Sequence, residues 1–261
     1  MDKPKKSLGQ NFLIDKNIIN KIVESVSIKG KHILEIGAGS GNLTDIIIKK
    51  SPHKITVVEK DKKLCEVLKT RFNKFNNIEI HNNDILNFDL ENKIKKNTII
   101  FGNLPYNIAT KILINILKFK KWLPDYTYLV LMFQKEVAER ILAKQNTKQY
   151  GRLSIIANYR LKIVNFFHIS NNCFFPKPKV DSTVIIFKPF LKENDNYENF
   201  KKLEVITNIM FSNKRKMINK ALKKLFRDEN LISKKFNLDL KSRPSDVSKE
   251  TFYNLIKFYD K

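Results

Sequence analysis

Short apolar runs rich in β-branched residues alternate with segments of helical periodicity along the first half of the chain. The runs occupy residues 32–36, 55–59, 78–80, 98–101 and 128–133, and the helical segments occupy residues 43–50, 62–75 and 109–119. Parallel strands need crossover connections, and the helices that make these connections cover both faces of the sheet. The alternation therefore predicts an α/β fold, with a parallel sheet between two layers of helices.

The pattern changes after Tyr150, where two apolar runs follow each other without a helix between them. These runs, residues 166–169 and 180–188, flank a loop at residues 171–179, and we predict that they form an antiparallel pair that closes the sheet. Residues 192–198 are polar and are interpreted as a linker. Helical periodicity at residues 200–211, 216–226 and 249–258 then predicts a small helical domain. We expect one domain at residues 1–191 and a second at residues 192–261.

The formal net charge of +24 on 261 residues is the outlier of the composition. Lysines and arginines that neutralise phosphates release counterions, so nucleic acid is the expected partner and an acidic protein is the second choice. Part of the excess has another explanation, because 43 of the 50 basic residues are lysines and the chain is rich in Asn and Ile, as AT-rich coding would produce. The lysines at residues 214–224 fit an RNA-facing surface or a solvated helix face.

Cysteine and histidine usage predicts neither a disulfide framework nor a metal site. Cys65 and Cys173 form no CxxC pair, and the four histidines are scattered along the chain. Residues 1–7 lack the apolar core of a signal peptide, and no apolar stretch reaches the roughly 18 residues of a membrane span. We therefore expect a cytoplasmic protein without a membrane segment or a metal ion.

A glycine cluster, with Gly37, Gly39 and Gly41, follows the first predicted strand. Glycines at this position let a ligand approach the backbone and leave the N-terminal amides of the next helix available. Glu59 lies 18 residues after Gly41, at the end of the second strand, and can accept hydrogen bonds from two ribose hydroxyls. A salt bridge with nearby lysines is the alternative. Asp84, after the third strand, can accept from an adenine amino group, or can cap a helix or a turn.

The tetrapeptide Asn103-Leu104-Pro105-Tyr106 closes the fourth predicted strand. Proline fixes its own φ and biases Leu104 toward an extended conformation, which sets the directions of the neighbouring carbonyls. The Asn103 amide and one of these carbonyls are acceptors, and Tyr106 offers a ring for stacking. These groups can orient the exocyclic amine of a flat base for attack. The alternative is an ordinary strand-to-helix turn.

Four motifs occur in an order that resembles the KsgA-type adenine dimethyltransferases of small-subunit ribosomal RNA. They are Gly-Gln-Asn-Phe-Leu at 9–13, Glu-Ile-Gly-Ala-Gly-Ser-Gly at 35–41, Asn-Leu-Pro-Tyr-Asn at 103–107 and Phe-Phe-Pro-Lys-Pro-Lys-Val-Asp-Ser at 174–182. The resemblance spans nearly the whole chain. It implies a Rossmann-like, S-adenosylmethionine-dependent methyltransferase sheet with a small C-terminal helical domain. It also implies a monomer that places two methyl groups on N6 of each of two adjacent adenosines, in a loop near the 3′ end of the small-subunit RNA, during small-subunit assembly.

The resemblance also assigns roles to individual residues, carried over by motif. Asn11 and Leu13 would cover the methionine end of the cofactor with Gln10 beside them, Gly37 would lie under its carboxylate, Glu59 would hold the ribose and Asp84 the adenine. Asn103 would touch both cofactor and target, and the target amine would also bond a backbone carbonyl of Leu104 or Pro105. Tyr106 and Phe174 would stack on the two faces of the flipped base, with Phe175 as support.

Three other functions are compatible with parts of this pattern. The macrolide-resistance methyltransferases of large-subunit RNA share the four motifs, but they typically carry Ile where Leu104 stands. A non-catalytic assembly or transcription factor could keep the fold for RNA binding alone, although Glu59, Asp84 and Asn103 are all present. A DNA adenine methyltransferase usually has a separate target-recognition domain, for which this chain has no room. The small-subunit enzyme is therefore the favoured prediction.

Overall fold

The computed structural model of the protein describes residues 10–191 and 195–259. Gly9 of the first motif and residues 192–194 of the expected linker lie outside the described residues, as do residues 1–7. Within the described part the chain forms nine strands, β1 to β9 in order: Phe12–Leu13, His32–Ile36, Lys54–Glu59, Ile78–Asn82, Thr98–Asn103, Tyr126–Gln134, Leu161–Ile169, Phe174–Phe175 and Ser182–Pro189.

Eleven α-helices connect and extend these strands within the same described residues. In chain order, α1 to α11 are Lys16–Glu24, Asn42–Lys49, Lys62–Arg71, Leu90–Lys93, Tyr106–Leu117, Lys135–Leu142, Arg152–Arg160, Tyr197–Phe211, Asn219–Leu225, Glu229–Lys235 and Lys249–Leu255. Several begin at an aspartate whose side chain accepts backbone N–H groups of the first turn, as Asp15 does for α1 and Asp61 does for α3. Every helix in residues 10–191 and 195–259 is too short or too polar to cross a lipid bilayer.

Seven strands form one mixed sheet in the order β4-β3-β2-β5-β6-β9-β7. The pairs from β4 to β6 are parallel, and β9 runs antiparallel to β6, for example with Val130 opposite Ile186. The α/β class and the closure of the parallel sheet by an antiparallel strand are therefore confirmed. The central strands are buried on both faces, with Ile33, Val57 and Ile99 at most 1% exposed, as expected for a sheet covered by helices on two sides.

Helix α7 is the main element that the sequence did not predict. Seven of its nine residues are buried, including the polar Ser154 and Arg160, so no apolar stripe of helical period stands out. The helix is followed directly by β7, which begins at Leu161, five residues before the predicted strand at 166. An all-round buried helix that leads without a turn into a strand gives no periodic signal at either boundary.

The contacts of the backbone divide the chain into two units, and the second unit joins three stretches of sequence. Among the described residues, the first unit holds residues 10–119 together with 123–138 and 162–190, and the second holds Lys120–Trp122, Glu139–Leu161, Leu191 and residues 195–259. In the second unit Arg160 bonds Asp195 through Nη2 at 3.0 Å, and its guanidinium lies 4.6 Å from the centre of the Phe200 ring. The expected division at 191/192 into catalytic and RNA-binding domains stays a prediction about function.

Candidate active site

A cleft opens at the carboxyl ends of β2, β3 and β5, in the first unit. It holds about 1300 Å³ of space, including its open mouth. In open α/β sheets ligands bind at this edge of the strands. Eight of the nine residues predicted for the site line the cleft: Asn11, Leu13, Gly37, Glu59, Asp84, Asn103, Leu104 and Tyr106.

The loop between β2 and α2 depends on glycine at two positions. Gly37 has a φ of +71°, and its amide donates to the carbonyl of Val58 at 2.9 Å. Gly39 has a φ of +59°, and a Cβ built on it would lie 2.8 Å from the Phe12 ring. Any side chain at Gly39 would therefore clash as well as strain the backbone. The close approach lets β1, which contains Phe12, form a wall of the cleft above the glycine loop.

Glu59 ends β3 with its carboxylate held by backbone amides. Its Oε2 accepts the N–H of Gly39 at 3.0 Å, and its Oε1 accepts the N–H of Asp61 at 2.9 Å. Burial raises the pKa of this carboxyl, and the hydrogen bonds oppose that shift. No lysine pairs with Glu59 within residues 10–191 and 195–259, so the salt-bridge alternative has no support. Each carboxylate oxygen has further lone pairs that can accept ligand hydroxyls.

Asp84 follows β4, and each of its two carboxylate oxygens accepts a hydrogen bond from a different residue. Its Oδ2 accepts from Lys60 Nζ at 2.8 Å, and its Oδ1 accepts from the N–H of Leu86 at 3.0 Å. The Lys60 hydrogen bond is the main reason that the pKa of this carboxyl is lowered. The bond to Leu86, two residues on, is a turn-stabilising contact. The residue therefore fills the turn role that the sequence offered as an alternative, while its carboxylate also borders the cleft.

Asn103 and Tyr106 lie at the junction of β5 and α5 and are fixed from opposite sides. The Asn103 Nδ2 donates to the carbonyl of Asn11 at 3.3 Å, and its Oδ1 accepts no hydrogen bond from the part of the chain that the structure describes. The Tyr106 hydroxyl lies 2.6 Å from Ser182 Oγ, on β9. This contact fixes the edge of the Tyr106 ring. The Asn103 amide oxygen is available as an acceptor in the cleft, because the Asn103 side chain bonds the Asn11 carbonyl through its Nδ2.

The backbone between these two residues offers one further acceptor. The Pro105 carbonyl accepts from the amides of Ile108 and Ala109, both at 3.0 Å, in the first turn of α5. The Leu104 carbonyl accepts no hydrogen bond within the described residues, and the Leu104 side chain is buried against Gly102. The sequence predicted that the carbonyl of either Leu104 or Pro105 accepts from the target amine. In the structure the Leu104 carbonyl is the one available for this hydrogen bond.

Phe174 is the one predicted site residue that does not line the cleft. It pairs with Leu13 across β8 and β1, is 3% exposed and packs in the apolar core. The neighbouring Phe175 is 54% exposed. Successive side chains of a strand point to opposite faces, so only one of these two rings can face the core. In this conformation Phe174 does not form the second aromatic wall opposite Tyr106.

Glu35 is a cleft residue that the sequence pattern did not single out. It lies within β2, is 1% exposed and lines the cleft, and its Oε2 accepts from Thr44 Oγ1 at 2.7 Å. Burial raises the pKa of Glu35 to about 7, the Thr44 hydrogen bond opposes this shift, and the charge of Glu59 adds to it. An acid inside an otherwise apolar strand was the available signal, since charged residues are rarely fully buried.

We expect Glu35→Gln to stabilise the protein increasingly as the pH rises from about 4.5 to 7. In that range Glu35 is ionised in the unfolded state but keeps its proton in the folded state. The free energy of unfolding of the wild type therefore decreases as the pH rises, because of this one group. The loss reaches at most about 3 kcal/mol above pH 7, at roughly 1.4 kcal/mol per unit of pKa shift. Thermal unfolding of both proteins across this range measures the difference, and a difference that stays constant with pH would contradict the prediction.

The comparison with known families shows to which family the chain belongs. The sequence model of one family, described as ribosomal RNA adenine dimethylase, matches residues 1–261. The chain belongs to the ribosomal RNA adenine dimethylase family. The family that the four motifs resembled is thus confirmed, and so is the class of enzyme, a methyltransferase. Within the described residues of this dimethylase, no group of three or more His, Cys, Asp or Glu side chains could hold a metal ion.

Individual relatives of this dimethylase cover it almost completely. Ribosomal RNA small subunit methyltransferase A of Pelagibacter ubique is 43% identical over 99% of this chain and 97% of the relative. The protein of the same name from Malacoplasma penetrans is 41% identical over 98% of this chain and 92% of the relative.

Two solved structures share the architecture of this dimethylase. A dimethyladenosine transferase from Plasmodium falciparum is 25% identical with a TM-score of 0.77, over 95% of this chain and 99% of that one. The 23S rRNA methyltransferase ErmE is 21% identical with a TM-score of 0.70, over 96% of this chain and 100% of that one, and it shows a shared fold alone. The predicted Rossmann-like methyltransferase fold is therefore confirmed.

Proposed function

We propose that this protein transfers methyl groups from S-adenosylmethionine to N6 of two adjacent adenosines, two groups to each, in a loop near the 3′ end of small-subunit ribosomal RNA. The observation that carries the proposal is the Asn103 amide oxygen, which is available in the same cleft as the Glu59 carboxylate. The substrate is a small-subunit precursor in the cytoplasm, and the protein acts on it as a monomer.

The cleft residues fit S-adenosylmethionine in chemistry and in space. Glu59 would accept the ribose hydroxyls, Asp84 the adenine amine, and the loop at Gly37 would lie under the methionine end, beside Asn11 and Leu13. A Cβ on Gly39 would meet the Phe12 ring at 2.8 Å, so glycine at this position lets Phe12 pack directly on the loop that borders the cleft. When bound, the cofactor supplies an electrophilic methyl group on a positively charged sulfur.

Two acceptors would hold the target amine. The Asn103 Oδ1 and the Leu104 carbonyl have no hydrogen-bond donor in the described part of the chain, and each can accept one N6 hydrogen of adenine. Bonding both hydrogens draws the nitrogen out of conjugation with the ring and directs its lone pair at the methyl group. No strong base is required, because the amine becomes acidic only after methylation and can then release its proton to water. Positioning of this kind lowers barriers by about 7–11 kcal/mol in favourable cases.

Tyr106 would supply the stacking face for the base. Its hydroxyl contact with Ser182 fixes the ring at the cleft wall, so little side-chain freedom is lost when a base stacks on it. Extruding a base costs a few kcal/mol, less from a loop than from a duplex, and stacking on an aromatic side chain contributes roughly 1–3 kcal/mol. A target in a single-stranded loop therefore suits this cleft better than one in a helix.

The choice of small-subunit RNA is supported by the relatives and by Leu104. The relatives from Pelagibacter ubique and Malacoplasma penetrans are named for the small subunit, and they are 43% and 41% identical to this chain. ErmE, named for 23S rRNA, is 21% identical. Leu104 stands where the large-subunit enzymes typically have Ile.

The experiment that tests the proposal supplies labelled S-adenosylmethionine with small and large ribosomal subunits from a strain that lacks these methyl groups. We expect label in the small subunit and none in the large one. Fully methylated small subunits are the control, and they should take up no label. Incorporation into the large subunit alone would overturn the choice of RNA, and binding of small subunits without any incorporation would favour a non-catalytic assembly factor.

A further inference from the structure

Phe175 is a large aromatic side chain that the protein leaves in solvent beside the cleft. Its side chain is 54% exposed, whereas Phe174 is 3% exposed. In the β1–β8 pair, Leu13 lies opposite Phe174 and Phe12 lies opposite Phe175. Directly opposed residues of an antiparallel pair project from the same face, with Cβ atoms about 4.5–5.5 Å apart. Phe12 and Phe175 therefore share the face that points away from the core.

Phe12 connects this exposed ring to the cleft. It lines the cleft, and its ring is the atom group that a Cβ on Gly39 would meet. Phe175, on the neighbouring strand, extends the same surface outward from the cleft wall toward solvent. A molecule bound against Phe12 in the cleft therefore has Phe175 as the next aromatic side chain on the same face of the strand pair.

Two lysines follow Phe175 at alternate positions. Lys177 and Lys179 are exposed, and neither forms an ion pair within residues 10–191 and 195–259. The loop that carries them is held in place, since Asn171 donates its backbone N–H to Asp181 at 3.0 Å and its Nδ2 to the Pro178 carbonyl at 3.2 Å. Asp181, the acidic residue of this loop, thus accepts a backbone amide, and the side chains of Lys177 and Lys179 stay exposed.

We propose that Phe175, Lys177 and Lys179 form a second nucleotide subsite, which binds a nucleotide of single-stranded RNA that flanks the adenosine in the cleft. Phe175 stacks on the base, and the lysines contact the adjoining phosphates. An exposed aromatic ring next to unpaired cations is the combination that single-stranded nucleic acid requires, because stacking and phosphate contacts add to each other. The inference rests on the proposed function, since it assumes that the molecule entering the cleft is RNA.

A protein partner is the competing occupant of this surface. Ile14 and Val180 are 49% and 43% exposed, and with Phe175 they could give an apolar contact. A protein interface is depleted in lysine, whereas phosphate binding requires it. The lysines at 177 and 179 therefore favour RNA.

The test measures binding of a small-subunit RNA fragment that contains the proposed target loop to four full-length variants. We expect Phe175→Ala and Phe175→Leu each to weaken binding about 5- to 100-fold, and Phe175→Trp to bind as tightly as the wild type. RNA should also quench the fluorescence of the tryptophan that Phe175→Trp introduces. The wild-type protein gives the baseline, because its one tryptophan is Trp122. The double variant with Lys177→Gln and Lys179→Gln should show a shallower dependence of log affinity on log salt concentration. The slope should decrease by about 0.7 for each phosphate that the variant no longer neutralises.

Three results would overturn the subsite. The first is that Phe175→Ala binds the RNA fragment as tightly as the wild type does. The second is that Phe175→Leu keeps full affinity for the fragment, which would indicate an apolar contact in place of stacking. The third is that RNA does not quench the tryptophan fluorescence of Phe175→Trp. If the wild-type protein methylates small subunits while the variants bind RNA normally, only the subsite fails. If the wild-type protein neither binds the fragment nor methylates small subunits, the proposed function fails with it.

Discussion

Asn103→Ala is expected to lower the rate of methyl transfer about 100- to 1000-fold, the usual cost of removing one well-placed polar group from a reacting centre. The substitution deletes the Oδ1 acceptor for the target amine, together with the Nδ2 bond to the Asn11 carbonyl. The Glu59 and Asp84 carboxylates are untouched. The loss should therefore appear in kcat, while calorimetry should show that S-adenosylmethionine still binds, at least in part.

Asn107→Ala is the matched control for this variant. Asn107 also lines the cleft, on α5, but it is exposed and has no part in the proposed hydrogen bonding of the amine. It should keep nearly full activity. Full activity of Asn103→Ala, or equal losses in the two variants, would contradict the role of Asn103.

Phe174→Ala is expected to destabilise the fold by about 3–5 kcal/mol, the usual cost of removing a buried phenylalanine. Phe174 is 3% exposed and packs in the core on the same side as Leu13. Phe175→Ala should stay within about 0.5 kcal/mol of the wild type, because its ring is in solvent. Denaturant unfolding of the two variants measures this contrast between adjacent phenylalanines.

Phe174→Leu separates a core role from a base-stacking role. Leucine keeps most of the buried apolar volume, so we expect this variant to recover most of the stability and to methylate RNA at close to the wild-type rate. A stably folded Phe174→Leu protein with strongly reduced methyl transfer would instead support the aromatic wall that the sequence predicted.

The central strands were predictable because their physical signal is local. The run at 32–36 became β2 with the same boundaries, and the run at 98–101 became β5 with Gly102 and Asn103 added. These strands are buried on both faces, so their sequences are continuous apolar runs between turns. Helix α1 was missed although Asp15 caps it, and α7 was missed because nearly all of it is buried.

The site was predictable in its residue types and less so in its geometry. The ends of the predicted strands identify Glu59 and Asp84, and the third motif identifies Asn103. Neither signal tells which of two adjacent phenylalanines faces the core, since that depends on the register of β8 with β1. The choice between the Leu104 and Pro105 carbonyls depends on where α5 begins, and helix boundaries are the least certain part of any sequence-based prediction. Tertiary contacts decide both.

Nucleoside mass spectrometry of the small-subunit RNA tests the central claim most directly. After incubation of unmethylated small subunits with the protein and S-adenosylmethionine, digestion of the RNA should yield N6,N6-dimethyladenosine, and fragment masses should place it on two adjacent adenosines near the 3′ end. Asn103→Ala should leave these adenosines unmodified. Monomethyladenosine as the final product, dimethyladenosine at other positions, or an unchanged small-subunit RNA would contradict the account.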